Sequence, residues 1–143
     1  MASVLYPSAK TLFLAPGTLG TTSGTAIDLI DDNIKVLLID TADYTYSAAH
    51  DFHNDVAGAA IVATSANLSG KSVTNGVFDA ADITFTAVTG DPCEAIIIYK
   101  DTGTSSTSPL IAYIDTASGL PVTPGGGNID IVWDAGANKI FTL

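Results

Sequence analysis

Apolar positions along this chain fall into short runs that are typical of β-strands. Ile34–Ile39, Ala95–Lys100 and Leu110–Ile114 are almost continuously apolar runs of strand length. Ile83–Val88 instead alternates apolar and polar residues, as a half-buried strand does. Each of the three continuous runs leads into an Asp-Thr pair. Because Asp and Thr side chains bond to nearby backbone groups, we expect a turn after each run.

Turn residues divide the chain into about nine or ten short strands, without the strand–helix alternation that builds a parallel sheet. The strongest hairpin signal is Asn75-Gly76, which lies between Lys71–Val73 and Val77–Asp79. We therefore predict an all-β fold, either an antiparallel β-sandwich or a jelly-roll-like barrel, with one short helix.

The helix and an N-terminal arm complete this prediction. Ala48–Val56 is the helical candidate, with Ser47 as its N-cap, whereas Lys10–Leu14 is predicted as a strand. Residues 1–8 are predicted to form an arm. Residues 9–143 are predicted to form a single β-sandwich domain, as the length of 143 residues allows.

Charge is scarce and mostly negative. Charged residues make up 14% of the chain, against about 25% in ordinary soluble domains. The formal net charge is −10, and the sequence contains no arginine. Because arginine is the preferred phosphate ligand and an acidic surface repels nucleic acid, no nucleic-acid partner is expected. A mean hydropathy of +0.38 with so little charge favours a protein that hides surface in an assembly, and the alternative is a well-filled monomeric core with a Thr/Ser surface.

The chain carries no signal for a membrane or for secretion. No apolar run approaches the ~18–20 residues of a membrane span, so no membrane partner is expected. The first residues lack the basic and apolar regions of a signal peptide, and we therefore expect synthesis in a cytoplasm.

No motif in the chain specifies a catalytic or metal site, so we predict neither an enzyme nor a cofactor. His50 and His53 could take two positions on a zinc ion from one helix face, although two ordinary histidines are the favoured interpretation. Cys93 is the single cysteine, and we interpret it as a small buried hydrophobe. Calcium could bind paired aspartates, but turn formation explains them as well: Asp31 with Asp32, Asp40 with Asp43, and Asp130 with Asp134.

Aromatic residues outside the strands are the candidates for an assembly interface. Tyr44 and Tyr46 follow the end of a strand, and Leu5 and Tyr6 lie in the predicted arm. Exposed aromatics on arms and loops suit interfaces. We therefore predict these four residues as assembly-interface residues, with core packing as the alternative.

Five segments carry a likeness that covers most of the chain from Lys10 to Leu143, apart from Ala15–Ala26. They are Ile34–Tyr44, Ala81–Gly90, Glu94–Thr104, Leu110–Pro124 and Ile131–Phe141. Together they resemble a family of small structural proteins of tailed bacteriophages. The resemblance transfers no catalytic or binding residue to this sequence.

The resemblance implies a virion structural protein, most specifically a capsid decoration (cement) protein that binds the outer surface of the head and stabilises it. The expected partners are the major capsid protein and further copies of the chain in a homotrimer. The expected location is the outer capsid surface, after synthesis in the host cytoplasm. The alternatives are a neck, tail or baseplate component, or a carbohydrate-binding module on the virion surface.

Overall fold

The computed structural model describes residues 3–15 and 26–143, which are mostly antiparallel β-structure with one α-helix. The helix, α1, spans Pro7–Leu14, and short 3-10 helices span His53–Asp55, Gly58–Ala60 and Ser105–Thr107. The strands are β1 (Val4–Leu5), β2 (Ile34–Ile39), β3 (Ile61–Thr64), β4 (Ser72–Thr74), β5 (Val77–Asp79), β6 (Ile83–Phe85), β7 (Ala95–Lys100), β8 (Leu110–Ile114), β9 (Ile129–Ile131) and β10 (Phe141–Thr142). The all-β class with one short helix is confirmed. The arrangement is consistent with a β-sandwich, and the described strands form no closed barrel.

A five-stranded antiparallel sheet in the order β1-β8-β7-β2-β3 forms the centre of the fold. Every residue of β7 and β8 is buried, and in β2 only Lys35 is partly exposed. Burial on both faces explains why these strands have continuous apolar sequences. β7 and β8 are antiparallel neighbours in this sheet, with Ile97 opposite Tyr113.

Two smaller sheets complete the described β-structure, in the orders β10-β5-β4 and β6-β9. The β4–β5 hairpin turns at Asn75 and Gly76, whose φ angles are 52° and 78°. Both lie in the left-handed region, which Asn and Gly adopt most readily, so the predicted hairpin is confirmed. In β6, Ile83 and Phe85 are buried while Thr84 is exposed, as the alternating pattern predicts.

The prediction of a strand over Lys10–Leu14 is wrong, because this segment belongs to α1. Pro7 occupies the first helical position, where its fixed φ suits a helix and its missing N–H leaves no bond unmade. Ala9 and Leu12, three residues apart, are the buried residues of α1. An isolated eight-residue helix is marginal in water, so packing against the domain stabilises this one.

The prediction of a helix over Ala48–Val56 is also wrong, since only His53–Asp55 forms a single 3-10 turn there. The backbone of this segment bonds instead to the residues around the start of β8. The N–H of His53 donates to the carbonyl of Ser108, and the carbonyl of Asp51 accepts from Leu110. These long-range bonds satisfy the groups that a helix would have used.

The described part of the predicted arm lies within the fold. In β1, Val4 pairs with Tyr113 and Leu5 with Ala112. Tyr6 is fully buried, and its N–H donates to the carbonyl of Ile111 at 3.0 Å. The boundary expected after residue 8 therefore falls inside α1.

Cys93 is fully buried, in agreement with its interpretation as a small hydrophobe. Burial, followed by the charge of neighbouring Glu94, raises the pKa of its thiol to about 11. The thiol is therefore protonated and poorly nucleophilic at neutral pH.

Candidate functional site

The end of β2, the start of β7 and the end of β8 meet at one edge of the central sheet. The antiparallel registers of β2 with β7 and of β7 with β8 bring these three ends together. Thr41 follows β2, Glu94 precedes β7 and Asp115 follows β8, and all three line a pocket of about 370 Å³.

Tyrosine rings form the wall of this pocket. Tyr44 and Tyr46 lie on the loop after β2, and Tyr113 lies near the end of β8. The ring of Tyr113 is 6.3 Å from that of Tyr44 and 5.7 Å from that of Tyr46, with tilted planes. Such tilted pairs add favourable interaction beyond apolar burial alone. The name tyrosine pocket is used below for the site lined by Thr41, Tyr44, Tyr46, Glu94, Tyr113 and Asp115.

A chain of hydrogen bonds, in part buried, connects the pocket residue Tyr44 to Tyr6 and His50. The hydroxyls of Tyr6 and Tyr44 are 2.8 Å apart, and the Tyr44 hydroxyl is 2.8 Å from Nδ1 of His50. The ring of Tyr6 also packs on Tyr46, at 5.2 Å between centroids. These contacts hold the Tyr44 and Tyr46 rings in place.

Glu94 is held in one orientation by the turn after β2. Its Oε2 accepts hydrogen bonds from both the N–H and the hydroxyl of Thr41, each at 3.0 Å. Both bonds end on the same oxygen, and no residue in the described ranges donates to Oε1. Within the described residues, one oxygen of this fixed carboxylate is therefore left without a donor.

The electrostatic environment of the tyrosine pocket is negative. Burial is the main cause of the raised pKa of Tyr113, and the charges of Asp115 and Glu94 raise it further. Burial likewise raises the pKa of Tyr44. Both phenols are therefore neutral at physiological pH. No cationic side chain is among the described residues that line the pocket.

Three of the four predicted interface residues converge in this region. Tyr44 is buried and Tyr46 half-buried in the pocket wall, while Tyr6 is fully buried behind them. Leu5 is half-buried in β1 and lines a different pocket, beside Phe141. Burial of Tyr6 leaves it no surface of its own, so its contribution to any interface passes through Tyr44 and Tyr46.

The sequence did not single out Tyr113 or Glu94 as site residues. Tyr113 lies in a continuous apolar run and is only 6% exposed. Its position two residues before Asp115, at the end of β8, is the local signal that it lies near the end of the sheet. That the ends of β2 and β7 lie beside the end of β8 could be known only from the strand order.

Several of the residues considered as metal ligands have other partners. His50 binds the Tyr44 hydroxyl, and the ring of His53 packs on Tyr99 with centroids 4.8 Å apart. In the turns, Asp40 accepts from the Ala42 N–H. Within residues 3–15 and 26–143, no group of three or more His, Cys, Asp or Glu side chains is placed to hold a metal ion.

A second surface feature is an apolar groove of about 370 Å³ beside α1 and the β4–β5 hairpin. The side chains of Ile30, Val73 and Leu143 in this groove are 45%, 46% and 56% exposed. Large apolar side chains gathered at one exposed place are typical of contact surfaces. The apolar groove is defined by Phe13, Ile27, Leu29, Ile30, Val73, Phe141 and Leu143.

No protein-family model matches the chain, and no curated protein matches it significantly. Among the described residues, no helix is both long and apolar enough to cross a membrane.

Proposed function

We propose that this chain is a structural protein of a tailed-phage virion, and most specifically a capsid decoration protein. The observation that carries the proposal is the apolar groove, three of whose described side chains are about half exposed, on a chain with a net charge of −10. A contact surface on an acidic protein without arginine suits protein partners on the outside of a nucleoprotein particle. The resemblance to small phage structural proteins supports the same class.

The proposed mechanism is thermodynamic stabilisation of the shell. A ligand that binds only one state of an equilibrium stabilises that state by mass action. A decoration protein that binds the mature head and no other form would therefore oppose its rupture. The homotrimer expected from the resemblance would let each copy contact a neighbouring copy as well as the major capsid protein.

The test is co-sedimentation of the purified chain with mature heads that lack it. We expect saturable binding at many sites per head and a higher rupture temperature of the decorated heads. Binding to heads in only a few copies would favour the alternative of a neck, tail or baseplate component. No binding to heads would overturn the decoration assignment.

The carbohydrate-binding alternative receives less support from the geometry. Sugar-binding faces use exposed aromatic rings, and none of the large exposed hydrophobic residues in the described ranges is aromatic. Trp133 lines a pocket of about 540 Å³, but it is 8% exposed and its Nε1 donates to the Ala81 carbonyl. A glycan array with specific hits would reverse this preference.

A further inference from the structure

We propose that the tyrosine pocket binds the guanidinium group of an arginine side chain that belongs to a partner protein. Three aromatic rings and the carboxylates of Glu94 and Asp115 line the pocket. Tyrosine ring faces attract cations, and the attraction grows when the cation leaves water. The pocket thus combines two kinds of group that favour a positive charge, and its described lining carries no positive charge of its own.

The shape of the site favours guanidinium over ammonium. A guanidinium is planar, so it stacks on aromatic faces while its edge donates to a carboxylate, whereas an ammonium acts as a point charge. The half-buried ring of Tyr46 lines the pocket and supplies such a face, and Oε1 of Glu94, which accepts no hydrogen bond from a described residue, supplies the acceptor. Because Thr41 holds Oε2 from two directions, little side-chain entropy is lost when the ligand binds.

The arginine has to come from another protein, since this sequence contains none. A second copy of the chain could offer only lysine. Three of its five lysines already pair with carboxylates of the same chain: Lys35 with Asp101, Lys100 with Asp32 and Lys139 with Asp79. Charge complementarity with a net charge of −10 further favours a basic partner surface.

The first experiment uses the whole chain and the probe N-acetyl-arginine amide, followed by ¹H–¹⁵N NMR. The control probe is N-acetyl-citrulline amide, which has the same shape without the charge. We expect saturable shifts confined to residues around the tyrosine pocket, with citrulline binding weaker by about tenfold, or about 1.4 kcal/mol. Equal binding of the citrulline probe, equal binding of N-acetyl-lysine amide, or shifts spread over the acidic surface would each overturn the proposal.

Two variants with the same charge change test whether arginine binds at the tyrosine pocket. Glu94→Gln keeps an oxygen that can accept from Thr41 and removes the charge, so we expect it to fold and to lose arginine binding. Asp31→Asn makes the same charge change at the opposite end of β2 and should bind as the wild type does. If Glu94→Gln fails to fold, Tyr46→Leu, which removes a half-buried ring, replaces it and should weaken binding. If Glu94→Gln and Asp31→Asn weaken arginine binding equally, the binding depends only on the net charge of the chain, and the proposal is overturned.

The identity of the partner as the capsid shell rests on the proposed function, and a separate measurement tests it. In co-sedimentation with mature heads, Glu94→Gln should bind more weakly than Asp31→Asn. Specific binding of the arginine probe without any binding of the wild-type chain to heads would overturn the decoration function and leave the pocket assignment intact. Normal head binding by Glu94→Gln would overturn the capsid shell as the source of the arginine.

Discussion

The hydroxyl of Tyr6 shows how one buried polar atom connects the start of the chain to the candidate site. It is 2.8 Å from the Tyr44 hydroxyl, which in turn bonds to His50. Burial raises the pKa of Tyr6 well above its ordinary value, and the hydrogen bond to Tyr44 raises it further. The phenol therefore stays protonated and keeps this bond throughout the physiological range.

Replacing Tyr6 by Phe should lower the free energy of unfolding by about 1–2 kcal/mol, because a buried hydrogen bond is lost while the ring is kept. Urea unfolding followed by fluorescence measures the change. Tyr46→Phe is the matched control, since the Tyr46 hydroxyl has no hydrogen bond to any residue that the structure describes. It should change stability by less than about 0.5 kcal/mol. Equal effects of the two substitutions would contradict a structural role for the Tyr6 hydroxyl.

His53 gives the fold a dependence on pH. Burial lowers the pKa of its imidazole from 6.5, while the charge of Asp101 opposes this shift. The unfolded chain therefore takes up a proton at a higher pH than the folded chain does. Stability from this residue is present above pH 6.5 and is lost as the pH falls through the lowered pKa.

Replacement of His53 by Phe keeps a ring against Tyr99 and removes the titration. We expect a smaller loss of stability between pH 7 and pH 5 in this variant than in the wild type, measured by urea midpoints. Asp101 does not interfere, because Lys35 holds the pKa of that carboxyl below 3.8. An unchanged slope in the variant would show that other groups cause the pH dependence.

At the scale of elements, β1 is a component of the central sheet and Tyr6 is one of the largest fully buried side chains. Deletion of residues 1–6 removes one strand of the sheet and the support behind the tyrosine pocket. The deletion should therefore lower the thermal midpoint strongly, by more than Tyr6→Phe does. Differential scanning calorimetry makes the comparison. A deletion variant as stable as the wild type would contradict a structural role for β1 and Tyr6.

The two wrong element predictions share a physical cause. Lys10–Leu14 and Ala48–Val56 are both short and have weak periodicity, so tertiary contacts outweigh local preference. In the first segment, Pro7 at the helix start and burial of Leu12 select a helix. In Ala48–Val56, backbone hydrogen bonds to the residues around the start of β8 prevent a helix.

At the scale of the whole molecule, the exposed apolar groove and the low charge lead to a prediction about assembly. Under the proposed function we expect a homotrimer in solution, with a mass about three times that of the 14.6 kDa chain. Light scattering across a dilution series measures this mass. A monomer at every concentration would mean that the chain assembles only on its partner, which would favour a neck or tail component.

The sequence by itself determined the all-β class, the strands β2, β7 and β8, and the turn at Asn75 and Gly76. Local periodicity and turn chemistry depend on neighbouring residues, so these features can be predicted from the pattern. Tertiary structure alone decided the tyrosine pocket. Its contacts join residues far apart in sequence, with Tyr6 and Tyr44 separated by 38 positions and Thr41 and Glu94 by 53. Such contacts follow from strand order and register, which no local pattern specifies.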